Sequence, residues 1–328
     1  MPIRILYIVL ACLLLFAESG IAQVLEPRRW THLPVGANFA GVGYAYTESE
    51  IFLDPALQIE DATGEIHTGV FSYLRALDVF GKSGRIDVTI PYSIGRWAGL
   101  LEGQPASTRR SGFNDPRMRF AVNVLGSPAQ RGAEFRRFEV NTIVGVAMEI
   151  TAPLGDYQKE KLINLGGNRW IFRPQIGVVH NWAKWAVEIT GSAWFYTDND
   201  EFGGDKTRDQ DPLLAVQSHL IYTFRPGLWA SLSAAYGGGA GSKIDAVQVD
   251  DHIGKALWAA SFGFNLIARS SAARAPSLSP LARWITARSY RTSGSMDSAL
   301  SARCAVRCCQ VRASGKRFSV NAVQPRFQ

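Results

Sequence analysis

No cysteine lies between residues 13 and 303 of this 328-residue chain. Cys12 precedes that body and Cys304, Cys308 and Cys309 follow it, so it can hold neither a disulfide framework nor a thiolate zinc site. Beyond Phe16 there is no run of about 18 apolar residues, which excludes a helical membrane protein. The body also lacks an excess of positive charge, although the chain carries +7 and has a pI near 9.3. Eleven of its 35 basic residues lie from Ile267 onward, against one acidic residue there, Asp297. The remainder is slightly acidic. The basic pI therefore describes a tail and not a nucleic-acid-binding face, and nucleic acid is not an expected partner. No G-x-S-x-G motif occurs, and only five histidines are available as a base.

What is present argues for an ordered all-β protein. Hydrophobic residues make up 47%, too many for disorder, and 31 glycines with 11% aromatics suit strands and tight turns. The start of the chain reads as a secretory signal peptide over residues 1–22. Arg4 is the positive end, Ile5 to Phe16 the apolar core, and Gly20-Ile21-Ala22 the small-residue cleavage site, with Gln23 as the mature start. A lipobox at Val9-Leu10-Ala11-Cys12 would leave too short an apolar region.

From about Asn38 to Leu266 the chain alternates with period two, broken by Gly, Pro, Asp and Asn. Ile86, Val88, Ile90, Tyr92 and Ile94 oppose Arg85, Asp87, Thr89 and Ser93. Met118, Phe120, Val122 and Val124 oppose Arg117, Arg119 and Asn123. Val144, Val146, Met148 and Ile150 oppose Glu149 and small residues. Trp170, Phe172, Ile176 and Val178 oppose Arg173 and Gln175. Trp185, Val187, Ile189 and Phe195 oppose Lys184, Glu188, Thr190 and Ser192. Val216, Leu220, Tyr222 and Phe224 oppose Gln217, His219 and Thr223. Two more segments follow, centred on Leu232 and Phe262. With two less regular segments, Asn38–Thr47 and Ile66–Phe80, this predicts about ten strands of bilayer-crossing length.

A soluble sandwich would bury the apolar face against a second sheet. A transmembrane barrel turns it to lipid and the polar face to a lumen. Aromatics near segment ends (Tyr92, Trp97, Trp170, Phe195, Tyr222, Trp258) and charges deep within the polar face favour the barrel. Arg85, Asp87, Arg117, Arg119, Glu149, Arg173, Lys184, Glu188 and His219 are the lumen-lining candidates. Longer polar stretches at Arg96–Asn114, Gly126–Val140, Tyr157–Gly167 and Asp198–Asp211 read as outer loops, and short connections at Asn181–Ala183 and Arg225-Pro226-Gly227 as inner turns.

In chain order the body also carries Pro91-Tyr92-Ser93, Gly112-Phe113-Asn114-Asp115-Pro116, Pro153-Leu154-Gly155, Leu162-Ile163-Asn164-Leu165-Gly166, Asn168-Arg169-Trp170 and Gln210-Asp211-Pro212. Over residues 30–266 this set resembles the outer-membrane family known as MetA-pathway of phenol degradation. The resemblance implies an all-β transmembrane antiparallel barrel of about 12 strands in the cell outer membrane. It also implies a role in passage of small, aromatic or apolar molecules. Expected partners are outer-membrane lipid, a small-molecule solute and the assembly machinery, with no cofactor and no metal. The positions that match its motifs are Asp115, Pro116, Asn164, Gly166, Asn168, Arg169, Trp170, Gln210, Asp211 and Pro212. They are read either as substrate contacts at the barrel mouth or as turn chemistry.

After Leu266 the pattern departs from the family. A barrel over residues 23–266 is followed by a basic, low-order tail over 267–328, rich in Ala, Ser and Arg, where further strands are expected. A reading-frame shift near codon 267 would give such a composition, and a genuine basic extension is the rival reading. The lumen is either a charge-lined pathway or an interior filled by its own side chains. An outer-membrane lipid hydrolase using His219 and a water-soluble periplasmic barrel are further alternatives. Gly237 to Lys243 reads as a hairpin loop and not a phosphate loop. Asp198 to Glu201 reads as a solvated acidic loop.

Overall fold

A computed structural model of the chain describes residues 25–51, 59–101, 104–161, 163–248, 253–265, 282–291 and 302–303. The leader, Leu266 and most of the tail lie outside the described residues. The strands are β1 (Asn38–Ile51), β2 (Ile59–Val79), β3 (Lys82–Leu101), β4 (Gln104–Phe113), β5 (Arg117–Leu125), β6 (Thr142–Thr151), β7 (Ile171–Trp182), β8 (Trp185–Tyr196), β9 (Asn199–Phe202), β10 (Lys206–Gln210), β11 (Leu213–Arg225), β12 (Leu228–Gly239), β13 (Ser242–Ile244), β14 (Val247–Gln248), β15 (Ile253–Asn265), β16 (Ala282–Arg291) and β17 (Ala302–Arg303). One short helix, α1, spans Gly132–Arg137.

Thirteen strands form one antiparallel sheet in the order β16-β15-β12-β11-β8-β7-β6-β5-β3-β2-β1-β17, with β4 paired to β3. The sheet curls strongly enough to bring β16 against β1. β9, β10, β13 and β14 make a small second sheet. At one end the connections are tight. Phe80 and Gly81, both at positive φ, close the β2–β3 hairpin, as a two-residue turn that matches strand twist requires. Ala183-Lys184 and Pro226-Gly227 close the next two hairpins at that end. The opposite end carries the long connections 152–170, 197–212 and 240–252.

Burial follows the alternation, but inverted relative to a soluble protein. Val146, Met148, Ile176, Val178, Val216, Leu220 and Leu232 are exposed. Arg85, Arg119, Glu149, Arg173, Glu188, Gln217 and His219, on the other face of the same strands, are buried. The apolar outer belt is what hydrocarbon would contact, and the polar face is the interior.

Several expectations change. Trp97 is 7% exposed and faces inward, so it is not part of an interfacial girdle. Arg96–Asn114 is mostly strand. β2 and β3, at 21 and 20 residues, run about twice the span a bilayer needs, and β4 extends that blade. On the blade's outer face Glu65, Arg96 and Arg109 lie in one cross-strand row, a polar surface suited to water. Gly126–Val140, which contains α1, lies at the tight-turn end, where Ala129 bonds Gly81 and Ser83 bonds Ser127. The glycine run is not a loop: Gly237, Gly238 and Gly239 belong to β12 and pair with Ala215, Leu214 and Leu213. Of Asp198 to Glu201, read as a solvated acidic loop, all but Asp198 lie in β9. Past residue 266, β16 pairs with β15 over ten positions, from Ala256↔Arg291 to Asn265↔Ala282.

An arginine at the middle of the outer face tests which solvent that face meets. Val146→Arg should cost about 2–4 kcal/mol of membrane insertion. The folded fraction in liposomes, read by heat-modifiable gel migration, should fall accordingly. A water-facing surface would accept the same substitution with no loss.

Candidate lumenal site

Period two places charged side chains on the inner face, and strand register decides which of them meet. Asp87 on β3 is opposite Arg119 on β5, Arg119 is opposite Glu149 on β6, and Glu149 is opposite Arg173 on β7. The result is a row of alternating charge across four strands, the arrangement in which cross-strand pairs attract. Arg85 Nε lies 3.2 Å from Asp87, Arg119 Nη1 3.5 Å from the same carboxylate, and Arg173 Nη1 3.3 Å from Glu149. Arg119 Nε also donates to Gln175 at 2.7 Å. The Arg173 guanidinium stacks 4.1 Å over the Trp194 ring.

One step along the wall, Glu188 on β8 is opposite His219 on β11, which is opposite Ser233 on β12. His219 and Ser233 share a hydrogen bond of 2.8 Å. Both are 1% exposed, so no substrate reaches this pair in the structure.

The space inside this wall is occupied by the chain itself. Residues 25–37 enter the lumen and lead out at the tight-turn end into β1. Arg29 makes the central contacts. Its backbone N–H donates to Glu188 at 3.1 Å, its Nη2 to Glu149 at 3.0 Å, and its Nε lies 3.0 Å from Glu26. Trp30 is 1% exposed, and its Nε1 donates to Thr190 at 2.8 Å. Arg119 lies 4.7 Å from the centre of that ring, and Asn123 donates to the Trp30 carbonyl at 3.3 Å. Leu25 packs on Ala235, Leu257 and Ala259. At the exit His32 bonds Ser127 at 2.6 Å and stacks on Phe135 of α1, and Val35 N–H donates to Gln130. Beside the segment remains a cavity of about 10 Å³, room for one water, lined by Arg29, Thr31, Arg85 and Asn123.

The family-motif positions gather at the opposite, long-loop end, where they tie loops to one another. Asp115 accepts from the backbone of Gly155 at 2.8 Å and of Gly167 at 2.7 Å. Asn164 bonds Gln158 and Lys161, and Asn168 bonds Asn199 and Glu201. The Gly166 N–H donates to Asp156, and the Pro116, Pro212 and Trp170 carbonyls accept from Ala152, Ala240 and Thr197. Asp211 N–H donates to Gly241. Arg169 bonds Gln210 and lies 4.5 Å over Tyr196; burial, then the neighbouring Arg208 charge, lowers its pKa to about 10.

Arg85, Asp87, Arg119, Glu149 and Arg173 are thus brought together, with Glu188 joined to them through Arg29. His219 packs separately with Ser233, and Arg117 is half-buried at the start of β5. Lys184 does not line the lumen: it is exposed in the turn between β7 and β8, because the strands end at Trp182 and resume at Trp185. Sequence reasoning missed Glu26, Arg29, Trp30 and His32, and the wall positions Gly145, Gly177 and Trp194. The available signal was the inward parity of two glycines within strands, which marks a close approach.

A curled antiparallel sheet with an apolar outside and a charge-paired inside is the architecture of an outer-membrane β-barrel. The chain belongs to the family described as "Putative MetA-pathway of phenol degradation", whose family model matches residues 58–268. Among solved structures it is similar to an outer membrane channel from Pseudomonas putida F1. The TM-score is 0.59 at 21% identity, over 86% of this chain and 100% of that one. A search of the curated proteins found no match.

Two tests follow from this geometry. Glu149→Gln leaves Arg29 and Arg173 without their shared carboxylate and should cost about 3 kcal/mol or more in urea unfolding from detergent. A Glu149→Gln, Arg173→Met double substitution should recover part of that loss. The second test concerns pH. Burial holds the His32 imidazole below its ordinary value of 6.5. An undocked segment therefore takes up the proton first. The contribution of His32 to docking is intact above about pH 6.5 and weakens as pH falls below it. Protease access to residues 25–37 should rise over that window, and His32→Gln should flatten the response.

Proposed function

We propose that the protein is an outer-membrane channel for small solutes whose lumen opens when residues 25–37 shift. The observation that carries this reading is a charged lumen wall packed by a segment that is continuous with the wall only at β1. Elsewhere the described segment is held by hydrogen bonds, the Arg29–Glu149 ion pair and ring contacts. Likeness to the Pseudomonas putida F1 outer membrane channel, together with the family's description, supports passage of small molecules, aromatic compounds among them. Passage needs no covalent chemistry. His219, the base that a hydrolase would use, is buried against Ser233. Secretion by the leader over residues 1–22, insertion by the assembly machinery and a lipid-facing belt complete the proposal.

A second reading is a structural barrel with a permanently filled lumen, favoured by the tightly paired row around Arg29 and the small cavity beside it. Conductance of the full chain in planar bilayers separates the two. The unaltered chain should pass little current. Arg29→Ala with Glu26→Ala should raise it by about tenfold, because the Arg29–Glu149 ion pair that holds the segment to the wall is lost, together with the carboxylate beside it. A chain with both substitutions that folds yet stays silent would favour the filled barrel.

A further inference from the structure

We propose that the lumen wall carries a binding recess for a flat aromatic molecule with a single hydrogen-bond donor, and that Trp30 is its internal occupant. The proposal rests on the channel reading above and names the class of ligand it would take. The recess is built from one cross-strand row. Gly145 on β6 is the direct partner of Gly177 on β7, and Gly177 is the partner of Thr190 on β8. On the other side Gly145 is the partner of Asn123 on β5. All four positions face inward. A Cβ at either glycine would overlap the Trp30 ring, so the ring lies directly on backbone. Two paired glycines in adjacent strands weaken a sheet unless something else occupies the room they leave.

The rest of the recess is as specific. Ile143 and Val179, one inward position toward the tight-turn end, and Ala121 pack against the ring edge. The guanidinium of Arg119 stands 4.7 Å from the ring centre, a cation over a π face. At the ring edge the Thr190 hydroxyl accepts the indole N–H at 2.8 Å. A buried aromatic N–H or O–H must find such an acceptor. Asn123 donates to the Trp30 carbonyl, a main-chain contact that a free ring does not need. Floor, rim, cation and acceptor all belong to the wall. A free indole- or phenol-type ring meets the same groups, and it competes with Trp30 for them.

The test uses the full chain in detergent, its fold verified by heat-modifiable migration, with indole as the probe and calorimetry as the readout. Removing the tethered competitor should tighten binding, so Trp30→Ala should bind indole about tenfold or more tighter than the unaltered chain. Indene, the same shape without the N–H, should bind that variant about tenfold weaker than indole. Adding Thr190→Val should erase the difference, and adding Gly177→Val should abolish binding of both. Equal indole affinity in the Trp30→Ala and unaltered chains would overturn the proposal, as would binding indifferent to Gly177→Val. If Gly177→Val does not fold, the indole-to-indene ratio in the Thr190→Val chain decides alone. Binding is read without passage. A barrel that conducts nothing but binds indole this way refutes the channel and keeps the recess, and one that conducts but binds no indole does the reverse.

Discussion

Backbone hydrogen bonding is the constraint on which the rest depends. A chain that stands in hydrocarbon has no water to satisfy its N–H and C=O groups, so each strand must be paired along its length. Antiparallel pairing in chain order does this for the wall, and the alternation then has only one arrangement: apolar to lipid, polar inward. Polar side chains confined to a narrow interior are dehydrated, and dehydrated charges have to meet opposite charges. The row Asp87–Arg119–Glu149–Arg173 and the insertion of Arg29 among Glu26, Glu149 and Glu188 are consequences of that chain of necessity. Glu149, the carboxylate shared by Arg29 and Arg173, joins wall to occupant.

Much of the wall was legible in the sequence, because facing is a matter of parity. A residue two places from Arg85 shares its face whatever the loops do, so Asp87, Arg119, Glu149, Arg173 and Glu188 could be placed inside. Register was not legible. That Arg119 meets both Asp87 and Glu149 depends on where β5 begins after the Asn114-Asp115-Pro116 corner and on how the long connection containing α1 returns the chain to β6. Residue type misled at the ends. Trp97 has the composition of an interfacial aromatic but the parity of an inward residue, and β3 carries it beyond the membrane span. Lys184 fell on the polar side of an alternation that stops at a turn.

The occupant of the lumen was invisible for a different reason. Glu26 to Leu33 has no period, and its partners lie far away in the chain, with Trp30 reaching Thr190 across 160 positions. Only tertiary structure joins them. The glycines that receive Trp30 read as weak points in their strands until the ring is seen lying on them. The comparisons settle family and fold. The geometry adds what a family label does not carry: which wall positions are shaped for a ring, and which hold charge.

The order of the chain has a consequence for assembly. Residues 25–37 precede every described strand, yet most of their partners lie on β5, β6, β7, β8, β12 and β15, far later in the chain. The contacts of Leu25, Arg29 and Trp30 cannot form until the sheet has curled around them. Closing such long loops costs little more than closing short ones, since the penalty grows only with the logarithm of length. But it has to be met before any contact forms, which makes docking a late event. Until the segment docks, Arg85, Arg119 and Arg173 face an interior without Glu26, and the wall carboxylates Asp87 and Glu149 have to balance them. The alternating row does this before Glu26 and Arg29 are in place.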